Sequence, residues 1–248
     1  MERYIHIAAG SMRINIDNQR LIAASLANQN TTAFKRDFGL SSAAYIQQDA
    51  AADRSFPTRG RSAVDLESGK LISTDNPMDV AIEGEGFFIG RKSDGATVLT
   101  RRGDFHLGPD RTLRNGENLI MEGDGGPITL PNFDSAEISH DGSVLYVPQA
   151  SPSGTKPIAL DRLKLVKTPN SNVERGDDGT LRLADKTVPA SDASVSLYTR
   201  GLETSNVSSI DSMVDMLTAS RTFEIHVKLL ATAKELDDST AKLMRSSQ

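Results

Sequence analysis

The sequence has no cysteine and no tryptophan, and aromatic residues make up only 5% of its 248 positions. The absence of cysteine excludes disulfides, thiolate metal sites and a cysteine nucleophile. Long apolar runs are missing as well, because no stretch approaches the roughly 18 apolar residues of a membrane span. The N-terminal stretch MERYIHIAAG lacks the basic start and apolar run of a secretory signal. We therefore expect no membrane span and no cleaved signal peptide.

An excess of basic charge is also absent, since 28 Lys and Arg residues stand against 33 Asp and Glu residues, for a net charge of -5. No basic run is long enough to follow a phosphate backbone, so nucleic acid is not an expected partner. The histidines show no metal-ligand spacing, and no G-x-S-x-G motif marks a nucleophile. We predict no catalytic residue, no cofactor, no metal site and no enzymatic activity.

Both ends of the chain are predicted to form long helices, over residues 4–30 and 208–245, because neither range contains proline. At about 100° per residue, each helix carries apolar side chains on two opposite sides. A helix that is apolar on both sides must be buried on both sides. Ser205 or Asn206 is predicted to cap the second helix, with Asp211 in its first turns.

The region between the helices, residues 73–198, contains short alternating or β-branched runs separated by turns with glycine. Such spacing predicts an antiparallel, barrel-like or sandwich-like β-domain. Residues 31–72 are polar and show no sustained periodicity, which predicts an extended or irregular connector. The expected fold class is α+β, with long terminal helices paired in a coiled-coil-like manner and a central, mainly antiparallel β-domain. The predicted domains are a helical assembly core (1–36 and 203–248), an extended connector (37–72) and a β-rich outer domain (73–202).

The two terminal helices are each other's most economical partners, because pairing them covers one apolar side of each. The β-domain cannot cover the apolar sides that remain, since it must pack its own core. We infer a subunit of an assembly, whose terminal helices complete their burial only against neighbouring molecules.

Four motifs indicate which assembly this is. They are SLANQNTTAFKR (residues 25–36), NPMDVAIEGEGFF (76–88), TRRGDFHL (100–107) and LETSNVSSIDSMVDMLTASRTFEIHVK (202–228). In this order they resemble the motifs of the flagellar axial proteins, the rod and hook group of the bacterial flagellum. Two positions depart from that pattern. Ala33 replaces the usual glycine before Phe-Lys-Arg, and the usual Asp-x-x-Gly-x-Leu turn appears around Arg111 as PDRTL.

The resemblance implies a structural subunit of the proximal rod, which passes torque from the motor to the distal rod and the hook. Residues 163–183 are similar to the same segment of the proximal-rod members of the group. The modest length of the chain is also similar to theirs. In that group the terminal helices pair and stack with neighbours into a tube, and the β-domain lies outside. The implied partners are homologous rod proteins, copies of the same chain in a helical tube and the flagellar type III export apparatus. The implied location is the periplasmic rod of the basal body.

The assembly interface is expected to combine apolar residues of both helices with residues of the first and last motifs. Phe34 is predicted to fill an apolar gap, while Lys35 and Arg36 are predicted to meet carboxylates of a neighbour or the C-terminal dipole of their own helix. The full set of predicted interface residues is Ile5, Ile7, Met12, Ile14, Ile16, Leu21, Leu26, Asn28, Phe34, Asn206, Val207, Met213, Met216, Leu217, Arg221, Phe223, Glu224, Val227 and Leu230.

Two alternatives remain open on the sequence. The first is another rod or hook component, because these proteins share the quoted motifs. The second is of a different class, a secreted β-domain that binds glycan or cell wall and uses the helices as a private coiled coil. The second alternative predicts that residues 37–200 alone retain all binding activity.

Overall fold

The computed structural model describes residues 2–47, 53–152, 154–169, 173–176, 178–184, 187 and 189–246. The chain divides into two units. The helical unit comprises Met1–Ala27, Asp37–Ala63 and Ser208–Gln248, and the β unit comprises Asn28–Arg36 and Val64–Val207.

The described residues form two α-helices and eighteen β-strands. The helical unit contains nearly all of the following elements: α1 (Glu2–Ala27), β1 (Asp37–Gln47), β2 (Asp53–Val64) and α2 (Ser209–Ser246). The strands of the β unit are β3 (Leu71–Ser73), β4 (Val80–Glu83), β5 (Phe87–Arg91), β6 (Thr97–Thr100), β7 (His106–Leu107), β8 (Leu113–Arg114), β9 (Ile120–Gly123), β10 (Gly126–Pro127), β11 (Phe133–Ile138), β12 (Ser143–Pro148), β13 (Ile158–Arg162), β14 (Leu165–Val166), β15 (Val173–Arg175), β16 (Leu181–Leu183), β17 (Ser196–Thr199) and β18 (Gly201–Glu203).

The two long terminal helices predicted from the sequence are confirmed. With 26 and 38 residues, α1 and α2 are about 39 Å and 57 Å long. Their ends lie within three residues of the predicted ones. The two helices are in contact with each other, and α1 also contacts β1.

The start of α2 differs from the prediction. Ser208 Oγ accepts a hydrogen bond from the amide of Asp211 at 3.3 Å, and the Ser208 carbonyl accepts one from the amide of Ser212 at 3.0 Å. Ser208 is therefore the N-cap, and Asp211 lies in the first turn as predicted. The prediction of Ser205 or Asn206 as the cap is wrong, because the helical hydrogen bonds begin only at the carbonyl of Ser208.

The segment predicted as an extended or irregular connector, residues 37–72, forms β1 and β2, which pair with each other in a two-stranded sheet. Its sequence is too polar to show the alternation that predicts a half-buried strand. Pro57 lies inside β2. A proline is tolerated in a strand that has a single strand neighbour, as β2 has among the described residues.

The β unit contains the mainly antiparallel domain that the sequence predicts. Its largest sheet has nine strands, in the order β15-β16-β6-β5-β9-β8-β7, with β10 paired to β9 and β14 paired to β5. A second sheet has the order β11-β12-β13, and two further pairs are β17–β4 and β18–β3. The pairings described within the unit are antiparallel.

The core of the β unit packs on both sides of β5. Phe88 belongs to the larger apolar cluster, where its ring meets Phe105 edge to face with centroids 5.2 Å apart. Phe87 and Ile89 belong to the smaller cluster, together with Leu99. Consecutive side chains of a strand point to opposite faces, so a strand buried on both faces is a continuous apolar run. The β unit thus has an apolar core of its own.

The altered turn around Arg111 forms with this residue in the left-handed conformation, at a φ of 61°. The amide of Arg111 donates to the carbonyl of Gly108 at 2.9 Å, and the amide of Gly108 donates to the carbonyl of Thr112 at 3.0 Å. Hydrogen bonds from Thr112 and Arg114 lower the pKa of Asp110 to about 2. These contacts hold the turn although it contains no glycine after Asp110.

Phe88→Ala is expected to destabilise the β unit by about 3–5 kcal/mol, because it removes a fully buried ring and its contact with Phe105. Chemical denaturation of the whole chain, followed by circular dichroism, measures this change. Phe38→Ala is the control, because its ring is 44% exposed and its removal should cost less than about 1 kcal/mol. Equal losses in the two variants would contradict the packing described.

Candidate assembly site

A set of large apolar side chains on α2 is exposed, and we call it the apolar face of α2. At about 100° per residue, these side chains occupy an arc of about 160° around the helix axis. Their exposed fractions run from 53% to 75%. The residues are Ile210, Met213, Val214, Leu217, Ile225 and Leu229. Contiguous exposed apolar patches are typical of interaction sites.

The opposite side of α2 carries buried or half-buried side chains, and we call it the seam of α2. These residues follow one another at alternating steps of four and three positions. They are Ser212, Met216, Ala219, Phe223, His226, Leu230 and Ala233. A mean step of 3.5 residues is the spacing with which helices pack in coiled coils.

The most buried positions among the described side chains of α1 are polar. Asn15 is 9% exposed and Ser25 is 1% exposed, and Asn15 Oδ1 accepts a hydrogen bond from Gln19 Nε2 at 2.9 Å. The predicted interface residues of α1 whose side chains are described are all half-buried: Met12, Ile14, Ile16, Leu21 and Leu26. The side chains of Ile5 and Ile7 lie outside the described part of the chain.

The interface residues predicted on α2 fall on two different surfaces. On the apolar face, or exposed beside it, lie Met213, Leu217, Arg221 and Glu224. On the seam lie Met216, Phe223 and Leu230. Val227 is 44% exposed and lies between the two sets. Periodicity alone did not separate the side of the helix that is covered within the unit from the side that is exposed.

The segment after α1 and the segment before α2 meet in the β unit. The amide of Ala33 donates to the carbonyl of Glu203 at 2.8 Å, and the amide of Asn206 donates to the carbonyl of Phe34 at 3.2 Å. We call the two segments, residues 28–36 and 201–207, the junction. The first and last of the four motifs, which are far apart in sequence, are therefore neighbours in the structure.

Ala33 adopts a left-handed backbone, with a φ of 54°. The motif of the flagellar axial proteins usually has glycine at this position. A left-handed residue with a Cβ atom costs roughly 1–2 kcal/mol. Ala33 is nevertheless 8% exposed and donates its amide to Glu203. The alanine thus retains the left-handed backbone and carries the steric cost.

Lys35, Arg101 and Glu203 form a buried charge cluster. Lys35 Nζ donates to Glu203 Oε1 at 2.5 Å and to the carbonyl of Glu67 at 2.7 Å. Glu203 Oε1 also accepts from the amide of Gly69, and Oε2 accepts from Arg101 Nε, both at 2.8 Å. The three charged side chains are at most 2% exposed. The prediction that Lys35 meets a neighbour's carboxylate or its own helix dipole is wrong, because its partner is a carboxylate of the same chain.

The remaining donors of Arg101 bind Ser68 Oγ, which lies 3.2 Å from Nη2, and the backbone of the second motif. Nη1 donates to the carbonyl of Gly86 at 3.1 Å, and Nη2 donates to the carbonyls of Gly84 and Ile82 at 2.9 Å and 3.4 Å. Each of the four motifs therefore contributes to one cluster. They supply, in chain order, Lys35, the carbonyls around Gly84, Arg101 and Glu203.

The cluster contains two cations and one carboxylate. Burial lowers the pKa of Lys35, the charge of Glu203 raises it, and the charge of Arg101 lowers it. A buried charge that loses its partner costs about 3–5 kcal/mol. Because Glu203 contacts both cations, its removal would leave two buried charges uncompensated.

Asn206 and Phe34 fix the junction beside the cluster. Asn206 Oδ1 accepts from the amide of Arg36 at 2.8 Å, and its Nδ2 donates to the carbonyl of Asp65 at 3.0 Å. Phe34 is half-buried, and its ring lies 5.0 Å from the guanidinium of Arg175. One face of the ring thus meets a cation, and the filling of an apolar gap by Phe34 stays a prediction.

Sequence reasoning missed Arg101 and Glu203 as site residues. Charged residues beside turns are usually solvated, so neither residue was singled out within its motif. One signal was present, because Arg101 directly follows the mostly β-branched run of β6, and no turn residue separates the two. The partners of Arg101 could not be found this way, since they lie in other motifs.

The comparison with known proteins agrees with this convergence of motifs. The chain is 31% identical to the flagellar basal-body rod protein FlgF of Salmonella typhimurium, in an alignment of 253 residues that covers 100% of both proteins. The chain belongs to the flagellar basal-body rod protein family. It is also 30% identical to FlgF of Escherichia coli, over 98% of this chain and 97% of that protein. FlgG of Agrobacterium fabrum is 27% identical, over 98% of this chain and 100% of that protein.

Two family models match parts of this rod protein. The model described as the flagellar hook protein FlgE/F/G D1 domain matches residues 81–146, which include Arg101. The model described as the flagellar basal body rod FlgEFG protein C-terminal matches residues 200–243, which include Glu203 and most of α2. The resemblance to the rod and hook group is thereby confirmed. In the described part of the chain, neither helix has the length and hydropathy of a membrane span.

Ala33→Gly is expected to stabilise the rod protein by about 0.5–1 kcal/mol, because glycine adopts the left-handed backbone without the steric cost of alanine. The midpoint of chemical denaturation measures the change. Ala81→Gly is the matched control, because Ala81 is a fully buried alanine inside β4 whose φ is not left-handed. It should lose about 1 kcal/mol. A loss at both positions would contradict the left-handed conformation of Ala33.

Proposed function

We propose that this structural subunit of the flagellar rod lies in the proximal rod and passes torque from the motor to the distal rod and hook. The proposal rests on the apolar face of α2, whose six side chains remain 53% to 75% exposed. A helix with such a face on one side and a covered seam on the other needs a second neighbour. The FlgF relatives, which are named as rod proteins, support other rod subunits as that neighbour.

A coiled-coil-like pairing of α1 and α2 accounts for the seam. The two helices are in contact, and the seam residues of α2 follow the spacing of coiled coils. Asn15 is buried in α1, and a polar residue inside a helix pair sets the register at some cost in stability. In this arrangement each subunit covers the seam itself, while neighbouring subunits cover the apolar face.

The apolar face also explains how the rod resists twisting. Covering the exposed half of one large apolar side chain contributes about 1 kcal/mol, so the six side chains together contribute several kcal/mol for each subunit. In a tube of interlocked helices these contacts must all shear at once before one subunit turns against the next. The terminal helices therefore carry the torque in this proposal.

The proposed partners are homologous rod proteins and further copies of this chain, arranged in a helical tube. Contacts along such a tube are heterologous, so the exposed face of one subunit does not have to match itself. The subunit reaches the periplasmic rod through the flagellar type III export apparatus. It performs no catalysis and requires no cofactor. The alternative of a glycan-binding β-domain is not favoured by membership of the rod family.

Electron cryo-microscopy of basal bodies that carry a labelled copy of this chain tests the proposed position. We expect the label between the motor and the distal rod. A label confined to the distal rod or the hook would overturn the proximal position and leave membership of the family unchanged.

Leu217→Asp is expected to abolish incorporation into basal bodies and swimming, because it places an unpaired carboxylate on the apolar face of α2 at a cost of several kcal/mol. The β unit should retain its unfolding transition, since Leu217 is 53% exposed and belongs to the helical unit. Soft-agar motility and detection of the chain in purified basal bodies measure the two effects.

The matched control is Ile158→Asp, which introduces the same charge at an aliphatic side chain of β13 that is 47% exposed. This variant should incorporate and swim normally, because Ile158 lies outside the apolar face of α2. Normal swimming of the Leu217→Asp strain would contradict the proposed interface.

A further inference from the structure

The charge balance of the junction depends on one carboxylate. Both oxygens of Glu203 are engaged, Oε1 by Lys35 Nζ and the amide of Gly69, and Oε2 by Arg101 Nε. Within the described ranges, the other acceptors of Lys35 and Arg101 are neutral backbone carbonyls and one serine hydroxyl. Glu203 therefore supplies the negative charge in contact with both cations.

The two cations come from distant parts of the chain. Lys35 lies 168 positions before Glu203 in sequence, and Arg101 lies 102 positions before it. Arg101 is fixed by the carbonyls of the second motif, whereas Lys35 belongs to the segment that follows α1. Glu203 thus joins that segment to the rest of the β unit.

Backbone hydrogen bonds also make the position of residues 28–36 depend on residues 201–207. The amides of Ala33 and Arg36 donate to the carbonyl of Glu203 and to Asn206 Oδ1, both at 2.8 Å. The amide of Asn206 in turn donates to the carbonyl of Phe34. Residues 28–36 therefore dock on a surface that residues 201–207 themselves provide.

We propose that Glu203 is a positioning residue for assembly, which holds both junction segments in one register so that neither docks without the other. The inference rests on the proposed function, because these segments adjoin in sequence the helices that are expected to assemble. Lys35 is followed by Arg36, another cation, so attraction to a carboxylate alone would not prevent a slip by one residue. Asn206 prevents that slip by accepting the amide of Arg36.

The cluster predicts unequal effects of removing its members. Glu203→Gln leaves two buried cations without a carboxylate in contact with them, whereas Lys35→Met leaves the neutral pair of Glu203 and Arg101. Lys35→Met added to Glu203→Gln removes one of the two uncompensated cations. The double variant should therefore recover part of what the single Glu203→Gln variant loses. A role in packing alone predicts instead that the two losses add.

Amide hydrogen exchange on the purified full-length chain tests this coupling. In Glu203→Gln the amides of Ala33, Arg36 and Asn206 should exchange about 100-fold faster than in the wild type. In Lys35→Met the increase should be below about tenfold, and in the double variant it should lie between the two. The amide of Leu113, which donates to Ile128 in the core, should not change in any variant.

Glu122→Gln is the matched control, because Glu122 is a buried carboxylate of the β unit that pairs with one cation, Arg91. It should leave the exchange of the junction amides unchanged. The proposal is overturned if Glu203→Gln leaves the junction amides protected, if Leu113 loses protection equally, or if Lys35→Met adds to the loss in the double variant.

Incorporation into basal bodies tests whether the positioning matters for assembly. We expect Glu203→Gln to reduce the amount of incorporated chain at least about tenfold, in line with the exchange result, and Glu122→Gln to incorporate normally. Normal incorporation of Glu203→Gln despite a released junction would overturn the positioning role and leave the proposed function intact. Normal incorporation of Leu217→Asp would contradict the proposed function. That outcome would not alter the hydrogen-exchange result at the junction.

Discussion

The ion pairs of Glu203 with Lys35 and Arg101 are the interaction on which the junction of the chain depends. Buried ion pairs are a weak source of net stability, because the loss of hydration offsets much of their attraction. The loss of one partner is nevertheless costly, because the other charge remains buried. In this protein the same carboxylate serves two cations from distant motifs, so the cluster forms only when the β unit and both junction segments are in place.

The two units solve the problem of apolar burial in different ways. In the β unit, β5 is buried on both faces and its phenylalanine rings meet other parts of the same unit. In the helical unit, the seam of α2 is buried or half-buried, whereas the six side chains of its apolar face are more than half exposed. The first arrangement is stable within one chain, whereas the second becomes favourable on association. We propose that folding of the β unit depends on the first arrangement and association of subunits on the second.

The sequence predicted the elements whose patterns are long and regular. Both terminal helices extend over many turns, so periodicity was enough to identify them. It did not predict β1 and β2, because a polar two-stranded sheet needs no apolar alternation. It also missed the partners of Lys35, since no local pattern shows that positions 35, 101 and 203 meet. Local patterns determine elements, whereas long-range pairings determine this site.

The left-handed backbone at Ala33 shows how the long-range contacts override a local preference. Alanine disfavours this conformation by roughly 1–2 kcal/mol, and a short peptide with this sequence would avoid it. Here the amide of Ala33 is bound to the carbonyl of Glu203, and the next residues are held by Asn206 and by the buried ammonium group of Lys35. Two residues after the turn, Lys35 lies in the buried cluster, where separating it from Glu203 would cost about 3–5 kcal/mol, which is more than the cost at Ala33. The contacts of Lys35 therefore determine the backbone conformation of the motif. Alanine in place of the usual glycine at position 33 changes the stability more than it changes the path of the chain.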